Sequence, residues 1–316
     1  MSRKLSSVFA TAALMSSTAL ADVPNVAVDI APVHSLVARV MQDVGAPDLI
    51  IRSGPSPHDY RLRPSEAKAL QDANLVIWMG KELTPWMEDA VKTLSTEAAI
   101  LTLLEKDETT LLEFRESVLF EEHDHDDHSD KDHAETEDQD HDEHAHGAHD
   151  PHAWLSPKNA KIWLNLIAAQ LSTADPDNAS TYFVNAAAAV TEIDTLMADV
   201  STMLDPIRGN SFIVFHDAYQ YFETVFEFPA SGAISLGDAT DPSPARIARV
   251  QDRIQEQKIQ CVLAEPQFKK GLVVTVLEGT DAKTSIIDPL GDALEPGPAL
   301  YPQLIRNMAK TLVDCF

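Results

Sequence analysis

Residues 64–103 read PSEAKALQDANLVIWMGKELTPWMEDAVKTLSTEAAILTL, and their alternation decides the fold class. Pro64 and Pro85 each stand at the first position of a segment with helical period, the first ending near Asp72 and the second near Leu94. Between and after them lie two short β-rich apolar runs, residues 75–79 and 99–103. Strands separated by helices cannot pair as hairpins, so the pattern predicts parallel βαβ units with right-handed crossovers.

Working outward, residues 25–30 read as a strand, 35–44 as an amphipathic helix and 48–52 as a short strand. Downstream, Ser156 and Pro157 read as N-cap and first position of a helix to about Leu171, with Trp163, Leu166, Ile167 and Gln170 at helical spacing. Residues 176–204 continue as a long Ala-rich helical pattern of roughly 28 residues, about 42 Å. That length suits a strut joining two lobes better than a crossover inside one sheet. The alternation then restarts, with strands at 211–215, 230–234, 260–265 and 284–287 and helices at 217–226, 244–257, 269–277 and 300–314. The expected architecture is α/β: two similar α/β lobes with mostly parallel sheets, residues 22–175 and 208–316, joined by a long rigid helix within 176–207.

The first residues, Met1-Ser2-Arg3-Lys4, an apolar stretch and then Ala19-Leu20-Ala21, have the pattern of a secretory signal peptide covering residues 1–21. The apolar run is shorter than the roughly 20 residues of a membrane span. Export would place Cys261 and Cys315, the two cysteines of the chain, in an oxidising compartment, where they are expected to pair; two buried free thiols are the alternative. The net charge of −26 is concentrated in residues 121–150, which carry 14 acidic residues and one lysine. No basic patch is left that would attract nucleic acid, and nothing signals an obligate oligomer, so a monomer is expected.

Eight of the twelve histidines fall in that acidic stretch: His123, His125, His128, His133, His141, His144, His146 and His149. With few apolar residues and no period, residues 121–149 are expected to form a disordered loop. Alternating imidazoles and carboxylates suit a weak collector of metal ions, with a solvated loop of no function as the plain alternative. The other four are His34, His58, His152 and His216. Ligands of open α/β sheets bind beyond the carboxyl ends of strands. His216 follows the strand at 211–215, His58 follows the one at 48–52, and His152 lies on a loop before a helix start. Three neutral imidazoles with one oxygen donor make a tetrahedral zinc site, and Asp288, just after the strand at 284–287, is the best placed oxygen. Asp288 could instead be a carboxylate supporting a ligand or a helix N-cap, and His34 could serve packing or support a ligand.

Three segments make the reading specific: Ser56-Pro57-His58-Asp59-Tyr60-Arg61-Leu62-Arg63-Pro64-Ser65, Asp150-Pro151-His152-Ala153-Trp154-Leu155-Ser156-Pro157 and Phe215-His216-Asp217-Ala218-Tyr219-Gln220-Tyr221-Phe222. Together with the His/Asp-rich insert they resemble the zinc-specific solute-binding proteins of bacterial ABC transporters, the ZnuA type of the cluster A-I family. The resemblance implies a periplasmic receptor with its metal site in the cleft between the lobes, zinc as the transported ligand, and His58, His152 and His216 as ligands. Asp288 or water would complete the coordination. It also implies an ABC permease at the inner membrane as partner, a periplasmic zinc chaperone as a second, and a Cys261–Cys315 disulfide. Related manganese receptors have a carboxylate where His216 stands. Two rivals remain at this level: a zinc-dependent adhesin on the same fold, and a zinc hydrolase. The hydrolase lacks an H-E-x-x-H or G-x-S-x-G motif, and Glu265 is the one further acid at a strand end that could serve it as a base.

Overall fold

The computed structural model describes residues 23–52, 54, 56–115, 120, 149–235, 237, 242–267 and 270–316. The leader at 1–21 and seven insert histidines, His123, His125, His128, His133, His141, His144 and His146, lie outside the described residues.

The N-terminal half runs β1 (Val26–Val28), α1 (Ala31–Val40), β2 (Asp48–Leu49), α2 (Pro64–Asp72), β3 (Leu75–Trp78), α3 (Pro85–Leu94) and β4 (Ala99–Thr102). Helices α4 (Pro157–Ala174) and α5 (Ala179–Leu204) follow. The C-terminal half runs β5 (Phe212–His216), α6 (Gln220–Phe226), β6 (Ala233–Ser235), α7 (Pro244–Glu256), β7 (Cys261–Ala264), α8 (Lys270–Leu277), β8 (Lys283–Ile286) and α9 (Leu300–Cys315). Each half carries a four-stranded sheet, ordered β2-β1-β3-β4 and β6-β5-β7-β8, and every pairing is parallel. The two sheets therefore repeat one topology. In each, the connections leave the first strand in opposite directions, which opens a crevice beyond β1/β3 and beyond β5/β7.

Local chemistry explains most boundaries. Proline opens α2, α3, α4 and α7, where its missing N–H costs nothing. Ser156 Oγ accepts from Asn159 N, and Ser243 Oγ from Arg246 N, each at 3.2 Å. Helix α1 starts at Ala31 rather than Ser35, with Pro32 in its first turn. Helix α6 starts at Gln220 rather than Asp217, and His216 is the last residue of β5 rather than the residue after it.

The long segment is one α-helix of 26 residues flanked by 3-10 turns at Pro176–Asn178 and Asp205–Ile207, about 39 Å at the usual rise. Its buried side chains, Tyr182, Ala186, Ala189, Ile193, Leu196, Val200 and Leu204, recur every three or four residues and form one apolar stripe. That stripe packs on α4 and α1 from the first half and on α9 from the second. Helix α9 is in turn fixed to β7 by the Cys261–Cys315 disulfide. The two halves are thus tied together through α5 and α9.

Candidate metal centre

His216 ends β5 and Glu265 follows β7, so the β5/β7 crevice brings together two residues 49 apart in sequence. His216 Nδ1 stands 2.5 Å from Glu265 Oε1, and Gln267 Nε2 donates to Glu265 Oε2 at 2.8 Å. His152 is held the same way from its own segment. Asp150 Oδ1 accepts both the His152 backbone N–H, at 2.9 Å, and Nδ1, at 2.7 Å. The two imidazoles and the two carboxylates behind them are buried. With each Nδ1–H committed to a carboxylate, the neutral imidazole carries its lone pair on Nε2.

Those two Nε2 atoms face each other at 3.5 Å. Two ligands of a tetrahedral zinc ion at 2.0–2.1 Å stand about 3.3 Å apart, so the observed gap is close to what one shared cation requires. His58 lies in a 3-10 turn, Pro57–Asp59, with its ring centroid 5.7 Å from that of His152. The turn is pinned by Trp86 Nε1 donating to Pro57 O at 2.8 Å and by Ser56 Oγ accepting from His58 N at 3.3 Å. Among the described residues no three His, Cys, Asp or Glu side chains already converge on one point. His152 and His216 are aimed at each other, and His58 stands beside them as a ring contact.

Asp288 is engaged elsewhere. Its Oδ1 accepts from Leu290 N at 3.1 Å and Gly291 N at 2.8 Å, and its Oδ2 from Ala293 N at 3.4 Å. Gly291, at φ 75°, allows this turn, so Asp288 holds a backbone turn. The next helix starts only at Leu300 with Ala299 as its N-cap, and the helix N-cap expected as one alternative is not seen. His34 is buried in α1 and its Nε2 donates to Pro47 O at 3.0 Å, a packing position. His149, the described histidine of the insert, forms an antiparallel bridge with Glu113.

The orienting roles of Asp150 and Glu265 were not read from the sequence. In the sequence Asp150 is only part of a motif, and Glu265 stands out only as a candidate catalytic base. An Asp two residues before a candidate ligand was a usable signal, whereas Glu265 reaches His216 only through the β5/β7 pairing. Burial pushes Asp217 up to about 7, opposed by the Arg115 guanidinium, and it raises Glu223 likewise.

The chain is similar to known proteins over nearly its whole length. The family described as "Zinc-uptake complex component A periplasmic" matches residues 26–315. The high-affinity zinc uptake system protein ZnuA of Paracoccus denitrificans is 47% identical over 98% of this chain and 96% of its own length. That of Brucella abortus is 44% identical over 92% and 91%. Among solved structures, a crystal structure of ZnuA superposes with a TM-score of 0.74 at 21% identity, covering 93% of this chain and 99% of that one. With a family match across both lobes and two such relatives over nearly the full length, the chain belongs to the ZnuA family, the periplasmic component A of zinc-uptake complexes.

Proposed function

We propose that the protein is the zinc receptor of an ABC importer: it captures Zn²⁺ between its lobes and delivers it to a permease at the inner membrane. The observation that carries this reading is the pair of facing Nε2 atoms, each backed by a carboxylate. A carboxylate behind a ligating imidazole fixes its tautomer and raises its basicity. Imidazole donors favour zinc over manganese, which prefers oxygen. His58, His152 and His216 supply three donors. Water takes the fourth position, because the Asp288 oxygens are held by backbone N–H groups.

The reading is of binding without chemical transformation. Export by the leader at 1–21 puts the receptor in the periplasm as a monomer, where a zinc chaperone can load it, and no described helix is long and apolar enough to cross a membrane. The insert histidines act as a separate, weaker collector that raises zinc concentration near the cleft. Affinity falls as pH drops, because protons compete for the imidazoles.

The test is zinc titration against a competing chelator, with Mn²⁺ as control, for the parent protein and a His58→Ala, His152→Ala, His216→Ala triple variant. Loss of one tight zinc site with retention of weak ones is the expected outcome. Survival of the tight site in the variant would move the principal site to the insert and overturn the ligand assignment.

A further inference from the structure

The two chain segments that flank the insert meet at its root. Glu113 and His149 form their bridge there, and Asp150 N donates to Leu112 O at 2.9 Å. This root rests on α6 of the other half. Tyr221 Oη donates to Asp150 O at 2.8 Å and accepts from Leu112 N at 3.0 Å, so one hydroxyl ties both segments to α6. Beside it, Arg115 Nη2 donates to Glu223 Oε2 at 2.9 Å and lies 3.3 Å from Asp217 Oδ1. The Phe120 ring covers this guanidinium, its centroid 3.8 Å from Cζ.

Each contact leads to one of the facing imidazoles. Asp150, whose carbonyl Tyr221 holds, carries His152 on its carboxylate. Asp217, which Arg115 faces, is bonded in sequence to His216. The two imidazoles come from opposite sides of α5, so local structure does not set their separation. A metal ion tolerates only a few tenths of an ångström of error in that separation. Buried carboxylates such as Asp217 and Glu223 also hold position only while a cation compensates them.

We propose that the Tyr221 hydroxyl and the Arg115 guanidinium form a clasp between the root of the insert and α6, and that this clasp sets the His152–His216 separation. Both are then positioning residues for zinc capture. The inference rests on the reading of His152 and His216 as zinc ligands.

Tyr221→Phe is the sharpest probe, because it keeps the packed ring and deletes only the hydroxyl. Zinc affinity by chelator competition and the visible d–d absorption of the Co²⁺-loaded full chain are measured for Tyr221→Phe, Arg115→Met, Arg115→Lys and His216→Ala. The clasp requires about tenfold weaker zinc binding in Tyr221→Phe, an altered Co²⁺ band, and more affinity retained by Arg115→Lys than by Arg115→Met. Parent affinity and an unchanged Co²⁺ band in Tyr221→Phe, with His216→Ala losing the tight site, would overturn the clasp alone. A tight site that survives His216→Ala overturns the ligand reading and the clasp with it. Thermal unfolding of the metal-free variants separates the two effects, since a merely structural role lowers stability without moving the Co²⁺ band.

Discussion

At the scale of single residues, the fate of Asp288 shows how a local competitor captures a donor. A carboxylate followed by Pro-Leu-Gly finds backbone N–H groups two, three and five residues on, and these satisfy it before a metal does. Asp288→Asn should therefore change zinc affinity by no more than a few-fold. It should destabilise the metal-free protein by about 1 kcal/mol, the usual worth of such hydrogen bonds; a loss of affinity on the scale of a ligand deletion would return Asp288 to the coordination sphere. His34 offers a second residue-level test. Burial lowers its pKa below the ordinary 6.5, so the unfolded chain takes up the proton first as pH falls. Stability present above pH 6.5 is lost progressively below it. Buried Asp29 works in the opposite sense: raised to about 7 from 3.8, it costs stability as pH rises between those values. Replacing His34 by Gln, which can still donate to Pro47 O, should flatten the acid limb in urea unfolding of the metal-free protein between pH 7.5 and 5.5.

Elements were the most legible level of the sequence where their signals were local. Helices α2, α3, α4 and α7 begin at the prolines that announced them, and the βαβ alternation gave both parallel sheets. Helix α6 starts three residues later than its period suggests: Ala218 N donates to His216 O at 3.0 Å in a turn, and Tyr219 is the N-cap. His58, His152 and His216 stand out in the sequence from their places after expected strands or before a helix start and from the motif segments. The structure brings their rings together; their role as ligands is the reading proposed above. Their supports were not legible, since Glu265 and Tyr221 reach the site only through tertiary pairing. The disulfide belongs to this scale, because it ties α9 to β7 across 54 residues. Converting both Cys261 and Cys315 to Ala should lower stability by about 2–4 kcal/mol in chemical denaturation, while zinc affinity by chelator competition stays close to that of the parent.

For the whole molecule, the decisive feature is α5, whose apolar stripe engages α1 and α4 on one side and α9 on the other. A strut of that kind resists the hinge closure that many two-lobed receptors use. Scattering profiles of metal-free and zinc-loaded protein should therefore superimpose at low angle. A large contraction on loading would show that the lobes close about the ion and that α5 is not a rigid spacer. If the lobes stay fixed, release comes from moving a ligand-bearing segment, and the 3-10 turn of His58 is one such segment: Trp86 and Ser56 hold it, and the loop before it reaches the other half through Gly54 N donating to Asp292 Oδ2 at 3.1 Å.

The aromatic anchors of the ligand segments also give the molecule an optical property. Two of its four tryptophans sit against candidate ligands: the Trp154 ring is 5.2 Å from that of His152, and Trp86 is bonded to the carbonyl just before His58. Zinc has a filled d shell and alters their ultraviolet emission through the charge and placement of the neighbouring imidazoles, whereas an open-shell ion at the same place would also drain the excited state. Unlabelled tryptophan emission should therefore report loading of the cleft, with an open-shell ion dimming it more than zinc does; equal emission with both ions would place the metal away from these rings.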